Sequence, residues 1–243
     1  MYFPVPLKPA TLIRRYKRFL ADIRLPNDTE LTVHCPNSGS MKTCSAPGSP
    51  VYYSTSDNPT RKYPQTLEMV HNGNVWVGIN TARTNGIVAE GLKNGVIEEL
   101  WPVDSLVREV KTSPDCRLDL LVESGDQQIF IEVKNCTYVD SGCALFPDAI
   151  TARGTKHLLE LARLVQEGRR GVIIWLVQRR DADRFAPAAA IDPHYADTLA
   201  TVSRQGVEML AYQAAVTPES IDIVRSLPVI LNNKRERQNH HGK

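Results

Sequence analysis

Through the first eighty positions, apolar and polar residues alternate with a period close to two, as in short strands with one buried face. The runs RYKRFLADIRL (15–25), ELTVHC (30–35), VYYSTS (51–56), TLEMVHN (66–72) and VWVGIN (75–80) each read as a strand. Turn signals separate them at Pro26-Asn27-Asp28, Pro36-Asn37-Ser38-Gly39 and Asn72-Gly73. Five short strands in so short a stretch predict a small barrel of the OB type over residues 1–85, an architecture that commonly binds oligonucleotides.

After residue 85 the period changes. GIVAEGLKNGVIEEL (86–100) predicts an amphipathic helix with Ile87, Leu92, Val96, Ile97 and Leu100 as its apolar set. Three strands follow, in LVREV (106–110), LDLLVE (118–123) and QIFIEVK (128–134). A second helix runs from an N-cap at Thr151 to a stop at Gly168. GVIIWLVQR (171–179) is a continuous apolar run, as in a strand buried on both faces. A helix over 191–206, a strand over 207–216 and an extended piece over 221–231 complete this part. The expected class is α/β (α+β overall): a barrel, an αβββαβ domain over 86–231, and a polar, basic tail over 232–243 expected to be disordered.

The candidate chemistry lies in 117-RLDLLVESGDQQIFIEVK-134. A turn centred on Gly125-Asp126 sets Asp119 opposite Glu132 and Arg117 opposite Lys134. Leu118, Leu120, Val122, Ile129, Ile131 and Val133 then share an apolar face, and Arg117, Asp119, Glu123, Gln128, Glu132 and Lys134 the other. Opposed carboxylates are destabilising unless something needs them. A hard divalent cation does, so Asp119 and Glu132 are candidate ligands for Mg²⁺ or Mn²⁺. Lys134 shares their face and suits a role on a metal-bound water or a phosphate oxygen; together the three could hydrolyse a phosphodiester. Glu90 and Glu109 are candidates for a third acid, and either could equally be a surface charge. Arg153, Lys156 and His157 share one helix face, where they could hold a phosphate or simply cover solvent, and Gln178 ends the buried strand nearby.

Charge adds a second theme. Up to residue 85, ten bases face five acids, giving +5; the net charge of +2 leaves −3 for the rest. A basic front part beside an acidic back part suggests a nucleic-acid grip next to a carboxylate site. Arg14, Arg15, Lys17 and Arg18, interleaved with Tyr16 and Phe19, fit a strand that follows phosphates and stacks bases, or a charged edge strand. Arg61 and Lys62 extend the basic set. HCPNSGSM (34–41) reads either as a phosphate-contacting loop using Asn37 and Ser38 or as a capped tight turn. Five cysteines without a CxxC pair read as reduced thiols of a cytoplasmic protein, and no apolar run is long enough to span a membrane.

Asp119 with Glu132-x-Lys134, in this element order, resembles the PD-(D/E)xK nuclease superfamily, with Leu118 where that motif has proline. Longer strings, RRYKRFLAD (14–22), HCPNSGSM, EVKNCT (132–137), FPDAITARGTKHL (146–158) and IDPHYA (191–196), resemble the sugar fermentation stimulation protein (SfsA) family across almost the whole chain. Ser38 and the PDCRLDLL lead into the Asp119 strand depart slightly from that family's pattern. The resemblance implies an OB-like domain, a nuclease-like domain, DNA binding without sequence preference and a link to regulation of sugar, particularly maltose, metabolism. The alternative expectation is a non-enzymatic DNA-binding regulator with a vestigial nuclease fold. RNA, the effector and the oligomeric state are left open by the sequence.

Overall fold

The computed structural model describes residues 1–231, so the tail expected over 232–243 lies outside the described residues. Six strands form the first body: β1 (Lys8–Tyr16), β2 (Leu20–Arg24), β3 (Glu30–His34), β4 (Pro50–Thr55), β5 (Gln65–His71) and β6 (Trp76–Gly78). They run in the order β3-β2-β1-β4-β5-β6, and β3 also meets β5 at His34–Thr66. Five strands therefore close into the expected OB barrel, around Leu12, Ile23, Val33, Leu67, Val77 and Ile79. The run over 15–25 is a hairpin, not one strand. Lys17 and Arg18 both take positive φ, 48° and 62°, and turn β1 back onto β2. Neither residue carries a turn signal, because left-handed backbone is uncommon outside glycine and asparagine.

The second body begins with a 3-10 turn (Thr81–Arg83) and α1 (Thr84–Lys93). The helix is shorter than the periodicity predicts. Gly95, at φ 69°, breaks it, and Glu98–Leu100 forms a separate 3-10 turn. Ile87, Leu92, Ile97 and Leu100 are buried as expected, whereas Val96 is exposed.

Then follow β7 (Ser105–Ser113), β8 (Cys116–Ser124), β9 (Gln127–Cys136), β10 (Tyr138–Asp140), β11 (Cys143–Phe146), α2 (Ala152–Gln166), β12 (Arg170–Val177), β13 (Arg184–Pro187), α3 (Pro193–Arg204), β14 (Glu208–Val216) and β15 (Ile221–Leu227). The large sheet has the order β15-β14-β12-β9-β8-β7, with β9, β12 and β14 mutually parallel at its centre. A small sheet, β10-β11-β13, has no counterpart among the sequence expectations.

The starts of α2 and α3 follow from their caps. Thr151 Oγ1 accepts the Gly154 amide at 3.1 Å, and Asp192 Oδ1 accepts that of Tyr195 at 2.9 Å, with Pro193 in the first turn. The sheet is covered on both sides. Val172, Ile174 and Leu176 pack on the α1 side with Ile87, Val88 and Leu92. Ile173, Trp175 and Val177 pack on the opposite side with Leu158 and Leu161 of α2 and Leu199 of α3. This is why β12 is apolar at every position from Val172 to Val177.

The two bodies are tied together. The Gly78 amide donates to the Gln178 carbonyl at 2.9 Å, and Arg179, 2% exposed, reaches Thr43 Oγ1 and the Thr137 carbonyl. Residues 1–7 do not join the barrel. The Phe3 amide donates to the Glu219 carbonyl, Tyr2 bridges to Ser220, and Leu7 lies in the core beneath α1. No helix among the described residues is long and apolar enough to cross a membrane.

Candidate functional site

The β8–β9 hairpin takes the register expected from its turn: Leu120 pairs with Ile131, Val122 with Ile129 and Glu123 with Gln128. Positive φ at Gly125 (56°), and not at Asp126, suits a turn of the II′ kind. The ladder stops at Leu120, so the expected Asp119–Glu132 and Arg117–Lys134 pairs lie beyond it. The β7–β8 ladder also skips Asp119; opposite it stands Glu109, at φ 56°. Side-chain alternation breaks there: Leu120 and Val122 pack on the α1 side, but Leu118 packs on the α2 side. Leu118 is thus a correction to the expected apolar face. The opposite face is not a solvated one either, since Leu121 and Phe130 pack on the α2 side.

The break frees Asp119 to accept from two neighbours. Its Oδ2 takes the Val133 amide and its Oδ1 the Asn85 side-chain amide, each at 2.8 Å. Burial, and then the nearby Glu132 carboxylate, push Asp119 up to about 6, against the pull of those two donors and Lys134. Glu132 is 1% exposed. Its Oε1 meets both the Lys134 ammonium and the His157 Nδ1, while its Oε2 is buried with no hydrogen-bond partner. Burial alone would raise Glu132; His157 and Lys134 outweigh it and hold the carboxyl below its usual range.

Lys134 lines a cleft of about 390 Å³ between the two bodies. Arg18, Asn37, Ser38 and Gly39 form its barrel wall; Thr84 and Asn85 of α1, the ends of β9 and β11 and the loop 147–151 form the other. Asp148, on that loop, accepts the Met41 amide at 3.2 Å and the Ser40 hydroxyl at 3.3 Å, so the cleft is clasped at one edge.

Several sequence candidates have partners within the fold. Glu90 is not beside Asp119 and Glu132; it pairs with the Met1 ammonium at 3.0 Å and does not line the cleft. Glu109 is exposed and pairs with Arg117. Arg15 donates through its two terminal nitrogens to the carbonyls of Arg18, Asn37, Gly39 and Ser40, while its buried Nε has no partner. Tyr16 gives its hydroxyl to Asp22 and has the Arg14 guanidinium over its ring at 5.0 Å; Arg14 itself pairs with Asp22. Asn37 caps the tight turn by accepting the Gly39 amide at 2.8 Å. Gln178 lies under the cleft, donating to Asn135 and Thr84.

Lys17, Arg18 and Phe19 are exposed at the β1–β2 turn. Arg61 and Lys62 sit on the β4–β5 loop, Arg61 lining a different cavity. His157 is buried and faces Glu132, while Arg153 and Lys156 are exposed. Asn85 and Asp148 join the site without being marked by the sequence. An asparagine in a first helical turn and an aspartate after a proline carry no signal of their own.

Among the described residues, no group of three or more His, Cys, Asp or Glu side chains is placed to hold a metal ion. Two carboxylates are nonetheless brought together, and one has a buried oxygen lacking any donor. An anionic oxygen withdrawn from water without a partner is costly, and a cation would satisfy it. The donor set is all oxygen, which suits Mg²⁺, Mn²⁺ or Ca²⁺.

Two family models match the chain. One, described as the SfsA N-terminal OB domain, covers residues 13–79; the other, described as the sugar fermentation stimulation protein RE domain, covers 82–220. A sugar fermentation stimulation protein homolog of Desulfotalea psychrophila is 53% identical over 232 residues, 96% of each chain. The homolog of Geobacter sulfurreducens is 51% identical over 230 residues, covering 95% of this chain and 99% of its own. Among solved structures, SfsA of Pyrococcus furiosus in complex with Ca²⁺ superposes with a TM-score of 0.86 at 24% identity, over 95% of this chain and 98% of the other.

Proposed function

The chain belongs to the sugar fermentation stimulation protein family, and from that premise we propose that it is a nucleic-acid-binding protein with a metal-dependent phosphodiester-hydrolysing centre of the PD-(D/E)xK kind. The buried, donor-less Oε2 of Glu132 beside Asp119 carries this reading. Asp119 and Glu132 would hold Mg²⁺ or Mn²⁺. When bound, the ion would lower the pKa of a water and neutralise charge on phosphoryl oxygens. The description of the Pyrococcus furiosus relative as a Ca²⁺ complex agrees with an oxygen-seeking divalent ion in this fold.

The protein's own groups divide the remaining work. Asn85 and the Val133 amide fix the Asp119 carboxylate, and the buried His157 ring fixes that of Glu132. Lys134 reaches from Glu132 to the cleft wall, where its ammonium would orient the attacking water and stabilise developing negative charge. Exposed Lys17, Arg18, Arg61, Lys62, Arg153 and Lys156 supply phosphate contacts that carry no base information, with DNA as the substrate first tested and RNA as a second. A role in regulating sugar, particularly maltose, metabolism would then follow from nucleic-acid binding or processing.

The test is divalent-metal-dependent cleavage of single-stranded, duplex and branched DNA, with Asp119→Ala and Lys134→Ala beside the wild type. Cleavage lost in both variants while binding persists supports the centre. Unchanged binding with no cleavage of any substrate would leave a non-enzymatic nucleic-acid-binding regulator.

A further inference from the structure

A second recess, of about 590 Å³, opens on the other side of the start of α2. Thr151 lines the interdomain cleft and the next residue, Ala152, lines this recess, so the first residues of the helix divide the two. Lys111, Arg117, Arg153 and Lys156 line it, with Asp115 as the acidic residue. Their donors are mostly unspent. Lys156 gives one N–H to the Asp115 carbonyl at 2.8 Å, and Arg153 gives its Nε to His157 Nε2 at 3.3 Å. Arg117 has Glu109 at 3.8 Å, with both side chains 59% exposed, a pair that water screens.

Lys111 and Arg117 are, moreover, direct partners across the β7–β8 ladder. Like charges set opposite one another on a sheet oppose folding, so stability does not explain the pair. A polyanion lying over both does. The recess is also joined to the centre: His157 stands in its wall through Nε2 and touches Glu132 through Nδ1.

We propose that this recess takes the phosphates of the nucleic-acid strand on the side of the centre away from the barrel, so that the strand runs through the centre instead of ending there. The position of the centre rests on the reading of Asp119, Glu132 and Lys134 above; phosphate binding in the recess does not require cleavage. A strand with contacts on both sides can be cut internally. A site made for strand ends would be walled on one side.

The test has two arms. Without divalent metal, a labelled single-stranded oligonucleotide is titrated against wild type and Lys111→Gln/Arg117→Gln over a range of salt. Both side chains are exposed and oppose each other, so the double variant should fold. Affinity should fall about tenfold, and the slope of log K against log salt should shrink by roughly 1.4, from about 0.7 for each of two lost contacts on a single strand. An unchanged slope and affinity would overturn the proposal, whatever the catalytic result. With Mg²⁺ or Mn²⁺, circular single-stranded DNA is compared with the linear form. Cutting of both supports the through-running path, and cutting of the linear form alone overturns it. If neither is cut, the cleavage reading fails by itself, and the binding arm still decides the recess.

Discussion

The Oδ2 of Asp119 accepts the backbone amide of Val133 at 2.8 Å, a side chain standing where the neighbouring strand would otherwise supply a ladder bond. The carboxylate is therefore held by its own hairpin before any ligand arrives, and its charge is held at some cost. Burial and Glu132 raise it to about 6, above the ordinary carboxylate value.

That cost predicts a stability profile. In chelator, the folded protein holds a proton on Asp119 between its unfolded value and about 6, so stability falls as pH rises through that window. Asp119→Asn removes the penalty but keeps an acceptor for Val133. It should raise stability by about 3 kcal/mol above pH 7 and leave it nearly unchanged below about pH 3, where both forms are neutral. Thermal melts at the two pH values check this; an equal gain at both would assign the effect to something other than ionisation.

Divalent cation should stabilise the wild type through the same two carboxylates. At ten times its dissociation constant, a ligand of the folded state adds about 1.4 kcal/mol, enough to move the midpoint by a few degrees. Asp119→Ala and Glu132→Gln should melt at the same temperature with Mg²⁺, Mn²⁺ or chelator. A cation shift that survives in both variants would place the ion elsewhere.

Arg15 and Arg18 should behave differently although they lie three residues apart in a basic run. Arg15 serves four carbonyls, so Arg15→Met should cost about 2–4 kcal/mol and leave the salt slope of DNA binding unchanged. Arg18→Met should do the reverse, with near-normal stability and a shallower slope. Denaturation curves and salt titrations of the two variants separate the roles.

Gly39 and Asp148 form the last pair. A β-carbon on Gly39 would clash with both Asp148 carboxylate oxygens, so Gly39→Ala must turn that side chain away from Ser40 and Met41. A loss of about 1–2 kcal/mol is expected. In a double-mutant cycle with Asp148→Ala the losses should overlap almost completely; full additivity would show that the clash is relieved some other way.

The barrel, the three-strand meander and the register of the β8–β9 hairpin are legible in the sequence because they rest on local signals: alternation, turn residues and the symmetric Gly125-Asp126 loop. The choice of Asp119, Glu132 and Lys134 as one group follows from that register. What escapes the sequence depends on distant partners. Asn85 lies 34 positions from the carboxylate it serves. Glu90 looks like a third acid until the Met1 ammonium appears beside it. Arg15 looks like a phosphate ligand until the loop 37–40 folds over it. Leu118 obeys alternation on paper, and only the backbone break around Asp119 and Glu109 sends it to the other core.

The docking of residues 1–7 against Glu219, Ser220 and Ile221 has a consequence for the order of events during synthesis. Residues 1–7 are made well before their partners, which emerge more than two hundred residues later. The barrel can close meanwhile on its own short-range pairings, with Leu7 left waiting for the core beneath α1. Completion of the native state is thus a long-loop event that joins both bodies, and the two should unfold in one transition.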